Sequence, residues 1–286
     1  MRITDQARQR RHTLHFLGEL PAFSPVFLDT EVDMSEVCRH RAEATALGRR
    51  YSVVSYVIRA AVDGLLAHPE ANVALRGRSV ARFDEVRPKL ALDKTVGGHR
   101  VVVSAVLDDL RSADLDAIQA QVDHYRDADP DTSPEFAGLR LLHRLPGPLG
   151  RLAFRLGVRP LARRAAVMGT VAVSSLGHRP VDGFHSLGGT TITLGVGRVA
   201  DRPVVRDGVV TIAPVMRLNM TFDHRAVDGA LAADLLADIA SALREFPRHE
   251  LEPGQGQDEP EQDEPGRQGG VNGRPAPGRA TENADR

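Results

Sequence analysis

The sequence predicts an α+β domain in layers over residues 1–248, a mixed sheet packed by helices, followed by a disordered acidic tail over 249–286. Three observations carry that expectation. Period-two and helical hydrophobic patterns both recur along the chain, without the strict alternation of a doubly wound sheet. At 286 residues the chain can bury a sizeable core. After Arg248 the composition turns to Pro, Gly, Gln, Glu and Asp, which cannot offset the entropy of ordering.

Arg8 to Leu20 mixes basic and apolar residues, as in a short helix or an arm. Phe23 to Met34 reads as a strand ending at Asp29 and Asp33, and Ser35 is placed to cap a helix through Leu47. Ser52 to Ala67 carries Val53, Tyr56, Val57, Ala60, Ala61 and Leu65 on one helical face and stops at His68-Pro69. Ala81 to Asp93 and His99 to Leu107 read as strands joined at Gly97-Gly98. Ser112 to Tyr125 is helical, with Leu115, Ile118 and Val122 inward. Thr170 to Ser175 and Thr190 to Val199 are strands, and Asp207-Gly208 marks a hairpin turn.

Leu139 to Arg164 is rich in leucine and arginine and is interrupted by Pro146, Pro148 and Pro160. Two short packed helices broken at Pro146 and Pro160 are the favoured reading. A lid, or a surface that touches acidic lipid, is the alternative.

The chemistry points to one stretch. Leu218, Met220 and Phe222 alternate with Arg217, Asn219 and Thr221, the signature of a half-buried strand, and Leu231, Leu235, Leu236, Ile239 and Leu243 then follow at helical spacing. His224 falls where strand gives way to helix, with Asp228 four residues on. Histidine suits general-base work near neutral pH. The plainer alternative is a structural histidine with Asp228 as a helix N-cap.

Function classes narrow from composition. Lys and Arg number 37 against 38 Asp and Glu, which gives no electrostatic case for nucleic acid. Cys38 is the single cysteine, and no His-Glu-x-x-His pattern occurs, so no metal site is expected. Neither a signal peptide nor a membrane span is legible, and a soluble cytoplasmic protein is the default expectation.

The string Phe222-Asp-His-Arg-Ala-Val-Asp-Gly229 closely resembles the catalytic domain of the dihydrolipoamide acyltransferase component of 2-oxo acid dehydrogenase complexes, within the chloramphenicol acetyltransferase-like superfamily. Gly169-Thr-Val-Ala-Val-Ser-Ser-Leu-Gly177 resembles that family's serine strand, and Thr193 to Gly197 with Pro203-Val-Val205 its strand and hairpin before the histidine. His68-Pro69 with Asn72, and Val32-Asp-Met34, match upstream features. The resemblance covers about Arg10 to Pro247.

It implies the chloramphenicol acetyltransferase-like layered fold and an acyl transfer between coenzyme A, as acyl-CoA co-substrate, and a dihydrolipoamide-like thiol. His224 would be the base that takes the thiol proton, and Ser174 would donate to the oxyanion, with Ser175 the adjacent alternative. Asp228 would hold the histidine loop, with Arg10 or Arg11 as its partner. A homotrimer, or a multiple of it, is implied, with histidine and serine meeting across subunits.

The family's lipoyl and subunit-binding domains find no room in the chain, so the expectation is a lipoyl carrier on another chain. Ala91 to Val96 superficially resembles a lipoyl-lysine turn, but no covalent lipoyl group is expected on Lys94, which falls in a strand pair. The alternatives are a chloramphenicol-type acetyltransferase acting on a small hydroxyl compound, and a catalytically idle scaffold subunit of a multienzyme complex.

Overall fold

The structure, a computed structural model, describes residues 6–246. The tail expected over 249–286 lies outside the described residues. In chain order the elements are α1 (Arg11–Leu17), β1 (Pro25–Asp33), α2 (Ser35–Ala46), α3 (Val53–Ala67), β2 (Val73–Arg76), β3 (Ser79–Arg82), β4 (Pro88–Val96), β5 (His99–Val106) and α4 (Leu115–Asp127). There follow α5 (Ala137–Arg144), α6 (Gly147–Val158), α7 (Arg164–Met168), β6 (Val171–Ser175), β7 (Ile192–Arg206), β8 (Val209–Asp223) and α8 (Gly229–Arg244).

One mixed six-stranded sheet runs β1-β8-β7-β6-β4-β5. β4, β6 and β7 are parallel neighbours and the other pairs are antiparallel. A separate hairpin pairs β2 with β3. The layered α+β expectation is met.

One sheet face is the main core. Val173, Leu194, Leu218, Met220 and Phe222 point to it from the strands, and Tyr56, Val57, Ala61, Leu235, Ile239 and Leu243 meet them from α3 and α8. Burying a side chain of this size contributes about 1.5–3 kcal/mol, so the spacing that put these residues on one face also drives the layer together. Ser52 caps α3 as its sequence position predicts, its Oγ accepting from Ser55 N–H. Asp207 and Gly208 both have positive φ, as the two-residue turn between β7 and β8 requires.

Three expectations are corrected. Ser35 is the first residue of α2 rather than its cap. Asp33, at the end of β1, accepts from both the Ser35 N–H (3.0 Å) and its hydroxyl (2.6 Å), so a carboxylate two residues earlier satisfies the donor. The strand expected over Ala81–Asp93 is two strands in different sheets. Buried Asn72 donates to the carbonyls of Phe83 and Glu85 (3.0 and 2.9 Å), which pulls that stretch out of line, and Pro88 opens β4, where its missing N–H costs no ladder bond.

The end of β8 is buried on both faces rather than half-buried: Asn219, Thr221 and Asp223 are as enclosed as Leu218, Met220 and Phe222. The cover on the second face is the segment 181–189. A Cβ on Gly195 would lie 2.3 Å from the Phe184 carbonyl oxygen, and one on Gly197 would lie 1.9 Å from that of Asp182. The two glycines are therefore there to let backbone cross backbone.

Leu139 to Arg164 forms the helices α5 and α6, separated at Leu145-Pro146, in line with the favoured reading. No helix among the described residues is long and apolar enough to cross a membrane.

Candidate active site

His224 is the first residue past β8, and its backbone is held on two sides. Its N–H donates to Ser24 O (2.9 Å), and Asp223 N–H donates to Thr191 O (3.0 Å). Ala226 and Val227 N–H return to Asp223 O (2.9 and 3.2 Å), closing the turn that leads into α8. The imidazole stands 47% exposed at the end of this rigid corner, beside the Phe222 ring at 5.6 Å.

The organiser of the corner is Asp223, which sequence reasoning did not select. It is 3% exposed, and it accepts from Ser24 N–H (3.3 Å), Arg225 N–H (3.2 Å), and Arg225 Nε (2.9 Å) and Nη2 (2.5 Å). Burial pushes its carboxyl up, but the hydrogen bonds from Arg225 and the two backbone donors outweigh this and hold it below the usual carboxylate range. The Arg225 guanidinium in turn lies 5.6 Å from the Phe23 ring centroid. A signal existed in the triplet Asp-His-Arg: a carboxylate closing a strand, with an arginine two residues on, can fold back on itself.

Asp228 takes the position that the plainer alternative gave it. It occupies the N-cap position of α8 with no side-chain capping bond, and its side chain is 92% exposed. Its Oδ1 lies 3.7 Å from His224 Nδ1, too far for a hydrogen bond. The proposed arginine partner is also corrected. Arg11 donates to the carbonyls of His143 (3.2 Å) and Leu145 (2.7 Å), and Arg10 makes no ion pair among the described residues. Asp228 therefore does not hold the histidine loop within the chain, because Asp223 already does.

Ser174 and Ser175 are separated by the strand period. Val171 and Val173 belong to the helix-covered core, so Ser175 shares their side and Ser174 the opposite one. The Ser175 hydroxyl accepts from Gly177 N–H (3.3 Å), whereas the Ser174 hydroxyl makes no hydrogen bond among the described residues. Both hydroxyls keep their O–H free to donate, and what separates the two serines is the sheet face on which each stands.

The chain does not bring Ser174 to His224. Ser174 is level with Gly195, which is level with Asn219, two strands away and five residues short of His224. With roughly 3.3 Å per residue and 4.8 Å between strands, the two lie roughly 19 Å apart. A cavity of 240 Å³ beside the histidine corner is lined by Phe16, Phe23, Phe154, Arg76, Arg164 and Arg225, among others. Neither Ser174 nor His224 lines it. Behind it Lys89 is buried against Phe16, and burial, then the charge of Arg164, lowers its ammonium to about 7.

Lys94 sits within β4, its ammonium donating to the carbonyls of Arg126 and of Ala128 (2.7 Å). Among the described residues no group of three or more His, Cys, Asp or Glu could hold a metal.

Residues 159–250 match the family described as 2-oxoacid dehydrogenases acyltransferase (catalytic domain). The chain is 46% identical over 52 residues to the dihydrolipoyllysine-residue acetyltransferase component of the pyruvate dehydrogenase complex of Bacillus subtilis, covering 18% of this chain and 12% of that protein. To the protein of the same description from Staphylococcus epidermidis it is 25% identical over 232 residues, covering 76% of this chain and 45% of the relative. The chain therefore spans less than half the length of these curated relatives.

Among solved structures, a probable dihydrolipoamide acetyltransferase from Listeria monocytogenes superposes with a TM-score of 0.65 at 17% identity, covering 86% of this chain and 95% of that one. The cubic core of the pyruvate dehydrogenase multienzyme complex does so with a TM-score of 0.65 at 18% identity, covering 86% and 92%. The shared fold is the one expected from the sequence. The chain is thus a relative of the 2-oxoacid dehydrogenase acyltransferase catalytic domains, in sequence over the segment that carries the serine strand and the histidine corner, and in fold over most of its length.

Proposed function

We propose that the protein is an acyltransferase that moves an acyl group between coenzyme A and a dihydrolipoamide-like thiol, with His224 as general base. The observation that carries this reading is the histidine corner: an accessible imidazole on a backbone fixed from Ser24 and Thr191, anchored by a buried carboxylate. A base placed so rigidly needs little reorganisation when a thiol reaches it. His224 takes the thiol proton, the thiolate attacks the thioester carbonyl, and the tetrahedral oxyanion accepts a hydrogen bond from Ser174. Collapse breaks the original C–S bond, and the departing thiolate takes the proton back from His224. Asp228, exposed beside the ring, stabilises the imidazolium at longer range.

Because one chain holds His224 and Ser174 roughly 19 Å apart, the complete site forms between protomers, in a homotrimer or a multiple of it. The acyl carrier is a lipoyl group on another chain, and the location is the cytoplasm. No lipoyl group is carried on Lys94, whose ammonium is committed to two carbonyls inside a strand pair.

Acyl exchange between acyl-CoA and dihydrolipoamide, followed on the assembled protein, tests this. His224→Ala should lower the rate by on the order of 10²–10⁴ with the oligomer unchanged in mass. Equal rates in wild type and variant would remove His224 as the base. Small alcohols and amines in place of the thiol should react poorly.

A further inference from the structure

Helix α6 is apolar on two opposite sides. Gly150, Phe154 and Val158 face the protein, where a Cβ on Gly150 would lie 2.9 Å from His15 Nε2 and Phe154 lies 6.2 Å from the His15 ring. Leu149, Leu152 and Leu156, at the i, i+3, i+7 spacing of one face, are 55%, 53% and 65% exposed, and Leu141 of α5 is 55% exposed. An isolated exposed leucine needs no explanation, but a helical row beside a second helix does.

The segment that carries this row is basic. No Asp or Glu occurs between Glu135 and Asp182. Of the arginines in α5, α6 and the following turn, Arg140 is tied to the carbonyls of Pro130 and Ser133, Arg155 and Arg159 to Glu19, and Arg164 to Val158 O and Gly189 O. Arg144, Arg151 and Arg163 are exposed and make no side-chain hydrogen bond or ion pair among the described residues.

We propose that the outward face of α5 and α6 docks on an anionic phospholipid surface, the leucines entering the acyl boundary and Arg144 and Arg163 reaching headgroup phosphates. Apolar side chains beside unpaired guanidiniums, with Glu19 already held by Arg155 and Arg159, match a bilayer interface. A two-fold contact of this face with itself would bring like charges together. With 12 residues, α6 lies on such a surface rather than crossing it. Docking of this kind is independent of the acyl-transfer reading.

Sedimentation of the full chain with phosphatidylcholine vesicles, with and without phosphatidylglycerol, tests it, with the oligomer mass measured alongside. Binding is expected only with phosphatidylglycerol and should weaken with salt. The double variant Arg144→Gln, Arg163→Gln should lose on the order of 25-fold in affinity, about fivefold per charge. Leu149→Ser, Leu152→Ser, Leu156→Ser should lose a similar factor while retaining the wild-type urea midpoint. Absence of binding by the wild type, or equal binding by wild type and both variants, overturns the proposal. So does a leucine variant that binds vesicles normally but changes in mass, which would make the face a contact between copies. Capture by an acidic protein in the absence of any vesicle affinity would overturn it equally.

Discussion

Replacing Asp223 by alanine gives the sharpest test of how the histidine corner is built. The carboxylate is 3% exposed and accepts four hydrogen bonds, two from backbone N–H groups and two from the Arg225 guanidinium. Its removal leaves those donors and a guanidinium without an acceptor. Breaking a buried pair from one side costs about 3–5 kcal/mol. The Arg225 side chain is 35% exposed, so water recovers part of that, and about 2–4 kcal/mol is expected.

With a urea slope of about 2–3 kcal/mol per molar, the midpoint should fall by about 0.7–2 M. The exchange rate should fall as well, because a shift of about 1 Å in a catalytic group can cost about a hundredfold. The variant Asp223→Asn, which keeps an acceptor of the same shape, should recover part of both losses. The pH dependence has a fixed sign. The carboxyl lies lower in the folded than in the unfolded chain, so its contribution is complete above the unfolded pKa and is lost as pH falls through the folded one. The asparagine variant should lack that part of the acid limb. An alanine variant within about 0.5 kcal/mol of wild type, with normal exchange, would refute the reasoning.

Ser174→Ala should reduce kcat by on the order of 10²–10³ with KM little changed, as for loss of an oxyanion donor. Ser175→Ala should cost less than about tenfold, since its hydroxyl serves the Gly177 turn; steady-state kinetics of the pair decides between them. Gly197→Ala should destabilise by about 1–3 kcal/mol or more, because its Cβ would lie 1.9 Å from the Asp182 carbonyl oxygen and force the 181–189 segment off the sheet; thermal unfolding reads this. Burial, then the charges of His12 and Arg11, lower His143 to about 4. Wild-type stability should therefore decline as pH falls from about 6.5 toward that value, and His143→Gln should flatten the slope in a pH series of urea titrations.

The sequence by itself determined the local pieces. The period-two run into Phe222, the helical spacing after Gly229, the serine cap of α3 and the Asp-Gly turn are each written in residues close together in the chain. Local propensity and face-by-face burial therefore specify them. So did the position of His224, since a strand running directly into a helix leaves only a corner between them.

What the tertiary structure decided were the choices between neighbours that look alike in one dimension. Asp223 rather than Asp228 anchors the corner, because only Asp223 faces Ser24 and the folded-back Arg225. Ser174 and Ser175 stand on opposite faces of the sheet, because β6 turns Ser175 to the side of Val171 and Val173. Asn219 and Thr221 are buried because the distant segment 181–189 passes over two glycines, and the leucines of α6 stand outward because α1 occupies its other side. The physical reason is common to all four. Periodicity reports that a side chain has a preferred face, but what covers that face depends on chain far away in sequence, which only packing brings near.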